Sequence, residues 1–179
     1  MMHQKHQFRY ADNSQYSAVE LPYGNGQYSM TMLLPDEGVS IDDMLKQFTT
    51  TELSKLQQQM TECLVDLKLP RFSTTTKVGL KAPLSNMGAK TMFSDGADFG
   101  RMADAGLFVS TMLQKAKIEV SEEGTKAAAT TMAAIALTSL PHEQPRQVKF
   151  YANRPFVYMI TETNTNAILF IGQYTGGDN

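Results

Sequence analysis

Apolar and polar residues alternate with a period of two over much of this chain, and the pattern predicts that strands predominate. Residues 14–23 and 27–34 flank the turn sequence GNG, and together they predict a β-hairpin. The second arm places its apolar residues on one face, at Tyr28, Met30, Met32 and Leu34. Alternation returns later and predicts three more strands, at 63–69, 107–120 and 148–150.

A helical spacing of apolar positions predicts three short helices between these strands. Ser40 can cap the first helix, whose first turn is acidic. A second helix is predicted from Thr51, and a third ends at Gly88. The inward-facing residues of these helices are Ile41, Met44, Leu45 and Phe48, then Leu53, Leu56 and Met60, then Leu80, Leu84 and Met87.

Two apolar runs near the end of the chain lack the alternation of a surface strand. Residues 155–160 (PFVYMI) and 167–172 (AILFIG) are apolar on both faces, which predicts a hairpin inside a core. We expect this hairpin to pack against the first one. The expected contact residues are Leu21, Met32, Phe156 and Phe170. Together the elements predict an α+β fold that is rich in β-structure, with mixed or antiparallel sheets and a few short helices.

The composition is that of an ordinary folded domain, with 179 residues of which 42% are hydrophobic and 19% are charged. The net charge of −2 argues against nucleic acid or an anionic membrane as the main partner. No stretch is long and apolar enough to span a membrane, and no secretory signal is visible. With a single cysteine, Cys63, no internal disulfide is expected.

Signals of enzymatic or metal chemistry are weak. His3 and His6 would point to opposite faces of a strand, and no cysteine or acidic partner completes a metal site. His142 has no accompanying nucleophile motif. Residues 94–98 (SDGAD) lack the bidentate glutamate of a calcium loop, and GNG precedes no helix that could cradle a phosphate. The sequence therefore predicts no catalytic residue, no metal and no cofactor.

The segment from Lys126 to Leu140 is unusual because it carries one charge and mostly small side chains. A helix there would lack a polar face apart from Thr130 and Thr131, and it would be marginal alone in water. An unstructured loop of this length is uncommon unless it is functional. A third interpretation fits better, in which the segment sometimes enters a packed sheet as a strand. Small uncharged side chains would enter without clashes or desolvation, and Gly124 supplies a pivot.

Sequence blocks along the whole chain are similar to the serpin family and follow that family's order. EEGTKAAATT, residues 122–131, resembles the serpin hinge, with Lys126 where the family usually has glutamate. The other blocks are MMHQKHQFRY, ELPYGNGQYSMTMLLPDE, LKLPRFS, LSNMGAKTMFSDGADF, KAKIEVSEEGT, ANRPFVYMI and AILFIGQY. The resemblance implies the C-terminal half of one bacterial-like serpin domain at 1–179, with the N-terminal half absent. It places an exposed reactive-centre loop at about 122–147.

The resemblance implies an inhibitor of serine, or alternatively cysteine, proteases that contributes no catalytic residue of its own. The protease cleaves the loop and becomes acyl-linked to it, and the freed hinge then inserts as a strand into the main sheet. The implied hinge residues are Glu122, Glu123, Gly124, Thr125, Lys126, Ala127, Ala128, Ala129 and Thr130.

The family's spacing from the hinge implies a reactive bond between Thr138 and Ser139, with Leu137 and Leu140 as neighbouring alternatives. Leu137 and Thr138, which precede this bond, suit the substrate pockets of elastase-like or subtilisin-like proteases. Gln114 stands where many family members carry a histidine, and this substitution argues against opening that is tuned by pH.

The resemblance further implies an extracellular, periplasmic or cell-surface location, and a monomer when the protein is full length. The alternative is a non-inhibitory serpin that acts as a carrier, chaperone or protease substrate, with this chain an inactive fragment. The small residues of the hinge favour inhibition. We expect 1–179 alone not to inhibit proteases, and to aggregate without the N-terminal half, because one edge of the main sheet would be bare.

Overall fold

The computed structural model describes residues 1–121 and 145–176. Within these ranges the chain forms nine strands, three α-helices and one short 3-10 helix. The described residues divide into two compact units, of which the first combines 1–72 with 121 and 145–176 and the second comprises 73–120.

The strands are β1 (Met2–Asp12), β2 (Tyr16–Tyr23), β3 (Tyr28–Pro35), β4 (Thr61–Leu69), β5 (Phe72–Gly79), β6 (Leu113–Val120), β7 (Gln147–Tyr151), β8 (Phe156–Glu162) and β9 (Ile168–Tyr174). The helices are α1 (Ile41–Gln47), α2 (Thr50–Gln59) and α3 (Lys81–Asn86), and the 3-10 helix is Thr91–Phe93.

Seven strands of the first unit form one mixed sheet in the order β7-β4-β1-β2-β3-β8-β9. The neighbouring strands are antiparallel except for β4 and β7, which are parallel. The long strand β1 pairs with β4 over Met2–Tyr10 and with β2 over Arg9–Asp12, so it joins the two halves of the sheet. In the second unit, β5 and β6 pair as a separate two-stranded sheet.

The predicted first hairpin and the first two helices are confirmed. β2 and β3 are antiparallel neighbours, and both Gly24 and Gly26 of the turn adopt positive φ, which glycine tolerates. The side chain of Ser40 caps α1 by accepting a hydrogen bond from the Asp43 amide at 3.1 Å, and Thr49 caps α2 in the same way. Local sequence therefore determines these elements.

Both faces of the large sheet contribute to the core. On one face the two helices α1 and α2 pack against the strands. The buried residues of that cluster are Ala11, Tyr16, Ala18, Leu33, Met44, Leu56, Met60, Val157 and Met159. On the other face, an aromatic cluster joins Phe72, Phe156, Tyr158 and Tyr174, with ring centroids 5.0 to 5.8 Å apart.

The prediction that both late strands lie inside a core is wrong for β9. β8 is buried and pairs with β3, as expected for two hairpins that pack together. β9, however, is the outer strand of the sheet, and its apolar residues from Ile168 to Ile171 are 41% to 63% exposed. Phe170 is therefore not a core residue, whereas Leu21, Met32 and Phe156 are buried.

The predicted strand at 107–120 is correct only from Leu113 onward. Its partner β5 ends at Gly79, where the chain turns into α3. The amide of Leu80 donates to the carbonyl of Met112 at 2.8 Å, and beyond that bond no strand of the described residues pairs with 107–112. β5 was missed because its Ser/Thr-rich sequence has no clear apolar alternation.

Gly172 of β9 occupies a position where a side chain has no room. A Cβ built there would lie 2.5 Å from Cζ and 3.0 Å from Cε2 of Tyr158, and it would also contact the hydroxyl. Tyr158 is buried within the aromatic cluster and cannot move freely. We predict that Gly172→Ala lowers the free energy of unfolding by about 1–3 kcal/mol, as measured by chemical denaturation.

Gly79→Ala is the matched control, because a Cβ at Gly79 meets no atom within 4 Å. This variant should leave the unfolding midpoint nearly unchanged. Equal effects of the two alanine substitutions would contradict the packing argument.

Candidate functional site

The candidate site consists of the two described ends that flank residues 122–144. The predicted hinge, Glu122–Thr130, and the predicted reactive bond between Thr138 and Ser139 both lie outside the described residues, and so does His142. The structure therefore describes how the predicted loop is attached at its two ends.

The upstream end is strand β6, which runs directly into the predicted hinge. β6 pairs with β5 along one edge. Within residues 1–121 and 145–176, no strand lies along its other edge. An open strand edge can accept another strand through backbone hydrogen bonds.

From Lys115 to Val120 the side chains of β6 alternate as the sequence predicted, whereas Gln114, predicted on the inward face, is exposed. Lys115, Lys117 and Glu119 are exposed, whereas Val120 is buried. Lys117 and Glu119 form an ion pair at 2.6 Å on the exposed face. Gln114, the position where many serpins carry a histidine, lies at the start of the strand and is exposed.

The downstream end is β7, which pairs in parallel with β4. Backbone hydrogen bonds fix the strand at both of its ends. The Leu64 amide donates to the carbonyl of Arg146 at 2.9 Å, and the Ala152 amide donates to the carbonyl of Lys68 at 2.8 Å. The chain that leaves the predicted loop is thus tied to the edge of the large sheet.

Arg146 adds a side-chain clamp at the start of β7. Its guanidinium donates two hydrogen bonds to the carboxylate of Asp12, at 3.0 and 2.9 Å, and it lies 5.7 Å from the centroid of the Tyr10 ring. The hydrogen bonds to Asp12 raise the pKa of Arg146 above its ordinary value. We call these three residues the Arg146 clamp.

Asp66 forms a second side-chain connection at the end of β7. The hydroxyl of Tyr151 donates to Oδ2 of Asp66 at 2.6 Å, and Nε2 of His3 lies 2.6 Å from Oδ1. These bonds from Tyr151 and His3 lower the pKa of Asp66, and the bond to Asp66 raises the pKa of Tyr151. We call Asp66, His3 and Tyr151 the Asp66 hub.

This hub was not predicted from the sequence. No acidic partner of His3 was expected, but the pairing of β1 with β4 brings Asp66, which is 63 residues away in sequence, next to it. His3 and His6 lie on opposite faces of β1, as the spacing predicted, and the imidazole Nδ1 of His6 lies 2.8 Å from the carbonyl of Gln7. Only the register of the sheet could have revealed the contact between His3 and Asp66.

Other candidate chemistry is not assembled in the part of the chain that the structure describes. There, no three His, Cys, Asp or Glu side chains approach closely enough to hold a metal ion. In the SDGAD sequence, Asp98 accepts a hydrogen bond from the Gly100 amide at 3.0 Å, as in a local turn. Among the described helices, none has both the length and the apolar character needed to cross a membrane.

The sequence of the whole described region matches one family. The family described as Serpin (serine protease inhibitor) matches residues 1–176. The chain belongs to the serpin family. Iripin-2 of Ixodes ricinus is 39% identical over 166 residues, which cover 93% of this chain and 41% of that serpin. This chain thus spans about two fifths of the length of that relative.

Solved serpin structures share the fold. The 2.1 Å structure of a tumour suppressing serpin matches with a TM-score of 0.77 and 27% identity, over 98% of this chain and 46% of that chain. Thyroxine-binding globulin in complex with thyroxine matches with a TM-score of 0.76 and 27% identity, over 96% and 43% of the two chains. The β-rich serpin fold with few short helices, which the resemblance implied, is confirmed.

The Arg146 clamp should be measurable as an energetic coupling. A double-mutant cycle of Arg146→Ala and Asp12→Ala should give a coupling of about 0.5–1 kcal/mol in the free energy of unfolding, because the bond is bidentate but largely exposed. The coupling should weaken in high salt.

The matched control is the ion pair of Lys55 with Glu52, which has comparable exposure and a single short contact at 2.7 Å. Its coupling should be about 0.2–0.5 kcal/mol. A coupling of zero for the Arg146 pair would show that the clamp holds nothing in place.

Proposed function

We propose that this chain is the reactive-loop half of a serpin that inhibits serine proteases as a suicide substrate. One observation carries the proposal. One edge of β6 has no neighbouring strand among the described residues, and the chain that follows β6 leads through the predicted hinge into 126–140, a segment of mostly small residues with one charge. An open edge followed by a chain that can enter a sheet is the arrangement that loop insertion requires.

The chemistry of the reaction belongs to the protease. Its serine Oγ attacks the carbonyl carbon of Thr138, the peptide bond to Ser139 breaks, and the Ser139 nitrogen leaves with a proton from the protease's general acid. An ester then joins the protease to Thr138. The hinge inserts beside β6 before water can hydrolyse this ester, and the displaced protease loses its active geometry.

The energy for this displacement comes from strand addition. About a dozen new backbone hydrogen bonds, each with a net value of about 0.5–1.5 kcal/mol, give on the order of 10 kcal/mol. That total is comparable to the whole stability of an ordinary domain. The uncut protein is therefore metastable in this proposal, and proteolysis releases its stored energy.

The match with the serine protease inhibitor family supports this proposal, and so do the small residues from Ala127 to Thr130. Leu137 and Thr138 favour a target with a medium-sized apolar or small pocket, of the elastase or subtilisin type. A monomeric full-length protein outside the cell or in the periplasm stays part of the prediction. Formation of an SDS-stable complex with an elastase-like protease is the decisive test of inhibition.

A non-inhibitory serpin is the second candidate. The similarity to thyroxine-binding globulin in complex with thyroxine shows that the shared fold also occurs in a protein that binds a small molecule. Cleavage of the loop without a covalent complex would favour this carrier or substrate function. The small residues of the hinge favour the inhibitor.

The hinge should tolerate only small side chains. Replacement of Thr125 or Ala127 by arginine should raise the stoichiometry of inhibition by about tenfold or more, because insertion would bury an unpaired charge while cleavage continues. Ala127→Pro should have the same effect, because proline removes a ladder hydrogen bond. The measurement is titration of residual protease activity against the full-length variant.

Ala127→Ser is the matched control, since it keeps a small side chain at the same position. Its stoichiometry should remain close to that of the unmodified protein. Unchanged stoichiometry in the arginine variants would contradict insertion of the hinge.

The cut should fall between Thr138 and Ser139. Mass spectrometry of the cleaved protein should find a C-terminal peptide that begins at Ser139, and any other first residue would refute the assignment. Thr138→Arg should additionally shift inhibition toward trypsin-like proteases, whose pocket binds arginine. Leu140→Arg serves as the control and should not cause that shift.

A further inference from the structure

Asp66 lies at the centre of a solvent-facing surface formed by three adjacent strands, β1, β4 and β7. Its Cα partners are Lys5 on β1 and Lys149 on β7, so Asp66 has a neighbour on each side. The Asp66 carboxylate binds Tyr151 of β7 through one oxygen and His3 of β1 through the other. One carboxylate thus connects the edge strand to the third strand of the sheet.

We propose that Asp66 is the positioning residue that keeps β7 on the sheet, acting through Tyr151 and braced by His3. The consequence for inhibition rests on the proposed function, because β7 is the strand that follows the reactive loop. The anchoring itself does not depend on that function.

Apart from its backbone bonds to β4 and the adjacent Arg146 clamp, β7 has few attachments to the sheet. The strand has five residues and lies at the edge of the sheet, with β4 as its single neighbour in the described residues. Its pairing is parallel, which is slightly weaker per residue than antiparallel pairing. Phe150 is the one fully buried side chain of the strand. Side-chain bonds therefore carry a larger share of the attachment than in an inner strand.

The surroundings of Asp66 favour its charged form. The groups that face it are His3 and Lys5 on β1, Lys68 on β4, and Lys149 and Tyr151 on β7. The ammonium of Lys68 also lies 4.3 Å from the centroid of the Tyr151 ring. The Asp66 side chain is 25% exposed, so these groups act on a carboxylate that is partly shielded from water.

The sign of the pH dependence follows from this environment. Tyr151 and His3 lower the pKa of Asp66 in the folded state. The contribution of the hub is therefore present above the unfolded pKa of about 4 and is lost as the pH falls through the lower folded pKa. The exchange protection of β7 should fall with acidification over that interval, provided that Asp66 is present.

Hydrogen exchange of the peptide 145–151 in the full-length protein measures the anchoring directly. We expect Asp66→Ala to accelerate exchange of these amides by about tenfold, and Tyr151→Phe to accelerate it by a smaller factor. Because Asp66 and Tyr151 act through one shared hydrogen bond, adding Tyr151→Phe to Asp66→Ala should change the rate by less than about twofold. Asp104→Asn, at an exposed carboxylate of the second unit, is the control and should have no effect.

Asp66→Asn provides the second variant in case the alanine substitution prevents folding. It should make the protection of 145–151 less dependent on pH below about pH 4 than in the unmodified protein, after correction for the intrinsic exchange rate. Unchanged exchange in Asp66→Asn and Tyr151→Phe would overturn the proposal. Additive effects of Asp66→Ala and Tyr151→Phe would overturn it as well.

Failure of this proposal can be distinguished from failure of the proposed function. If the full-length protein forms a covalent protease complex but Asp66 variants leave the exchange of β7 unchanged, the anchor alone is wrong. If Asp66 variants accelerate the exchange of β7 but no protease is trapped, the anchor holds and the inhibitory function is wrong.

Discussion

The register of β1 is the constraint on which the large sheet depends. This strand pairs with β4 at one end and with β2 at the other, so a slip of one residue would turn its buried side chains, Phe8 and Tyr10 among them, toward the opposite face. The same register brings His3 to Asp66, and Asp12 at the other end of β1 meets Arg146. Packing of the core and attachment of the loop therefore depend on one ladder.

The sequence predicted those elements whose conformation is determined by residues that lie close together in the chain. The GNG turn needs positive φ at its two glycines, and the Ser40 cap needs one amide three residues away, so both are visible in a short stretch of chain. The same reasoning failed for β9, because the apolar sequence of a strand does not show whether the strand lies in the middle of a sheet or at its edge. Position within a sheet is set by pairing over long distances, which periodicity does not report.

Some parts of the candidate site could likewise be predicted from the sequence, and others could not. The small-residue segment from Lys126 to Leu140 was noticed from its composition, and the hinge at Glu122–Thr130 was predicted from the resemblance to serpins. The anchors of the predicted loop could not be predicted in either way, because Asp66 and Tyr151 are 85 residues apart and neither is unusual in its own surroundings. A carboxylate that connects two strands, such as Asp66, differs from any other surface carboxylate only in the side chains next to it. The parallel pairing of β7 with β4 places Tyr151 next to Asp66.

The two ends of the predicted loop differ in how firmly they are attached to neighbouring strands. β6 has one neighbouring strand in the described residues, and the chain that follows it has few side chains that would resist insertion. β7 is paired to β4 and held by side chains at both of its ends, through Asp12 and through Asp66. If the loop is cut between these ends, strand addition can move only the side of the loop that is not fixed to the sheet, which is the side that follows β6. Firm attachment of β7 would direct the motion to the hinge side, which in the proposed function carries the acyl-linked protease.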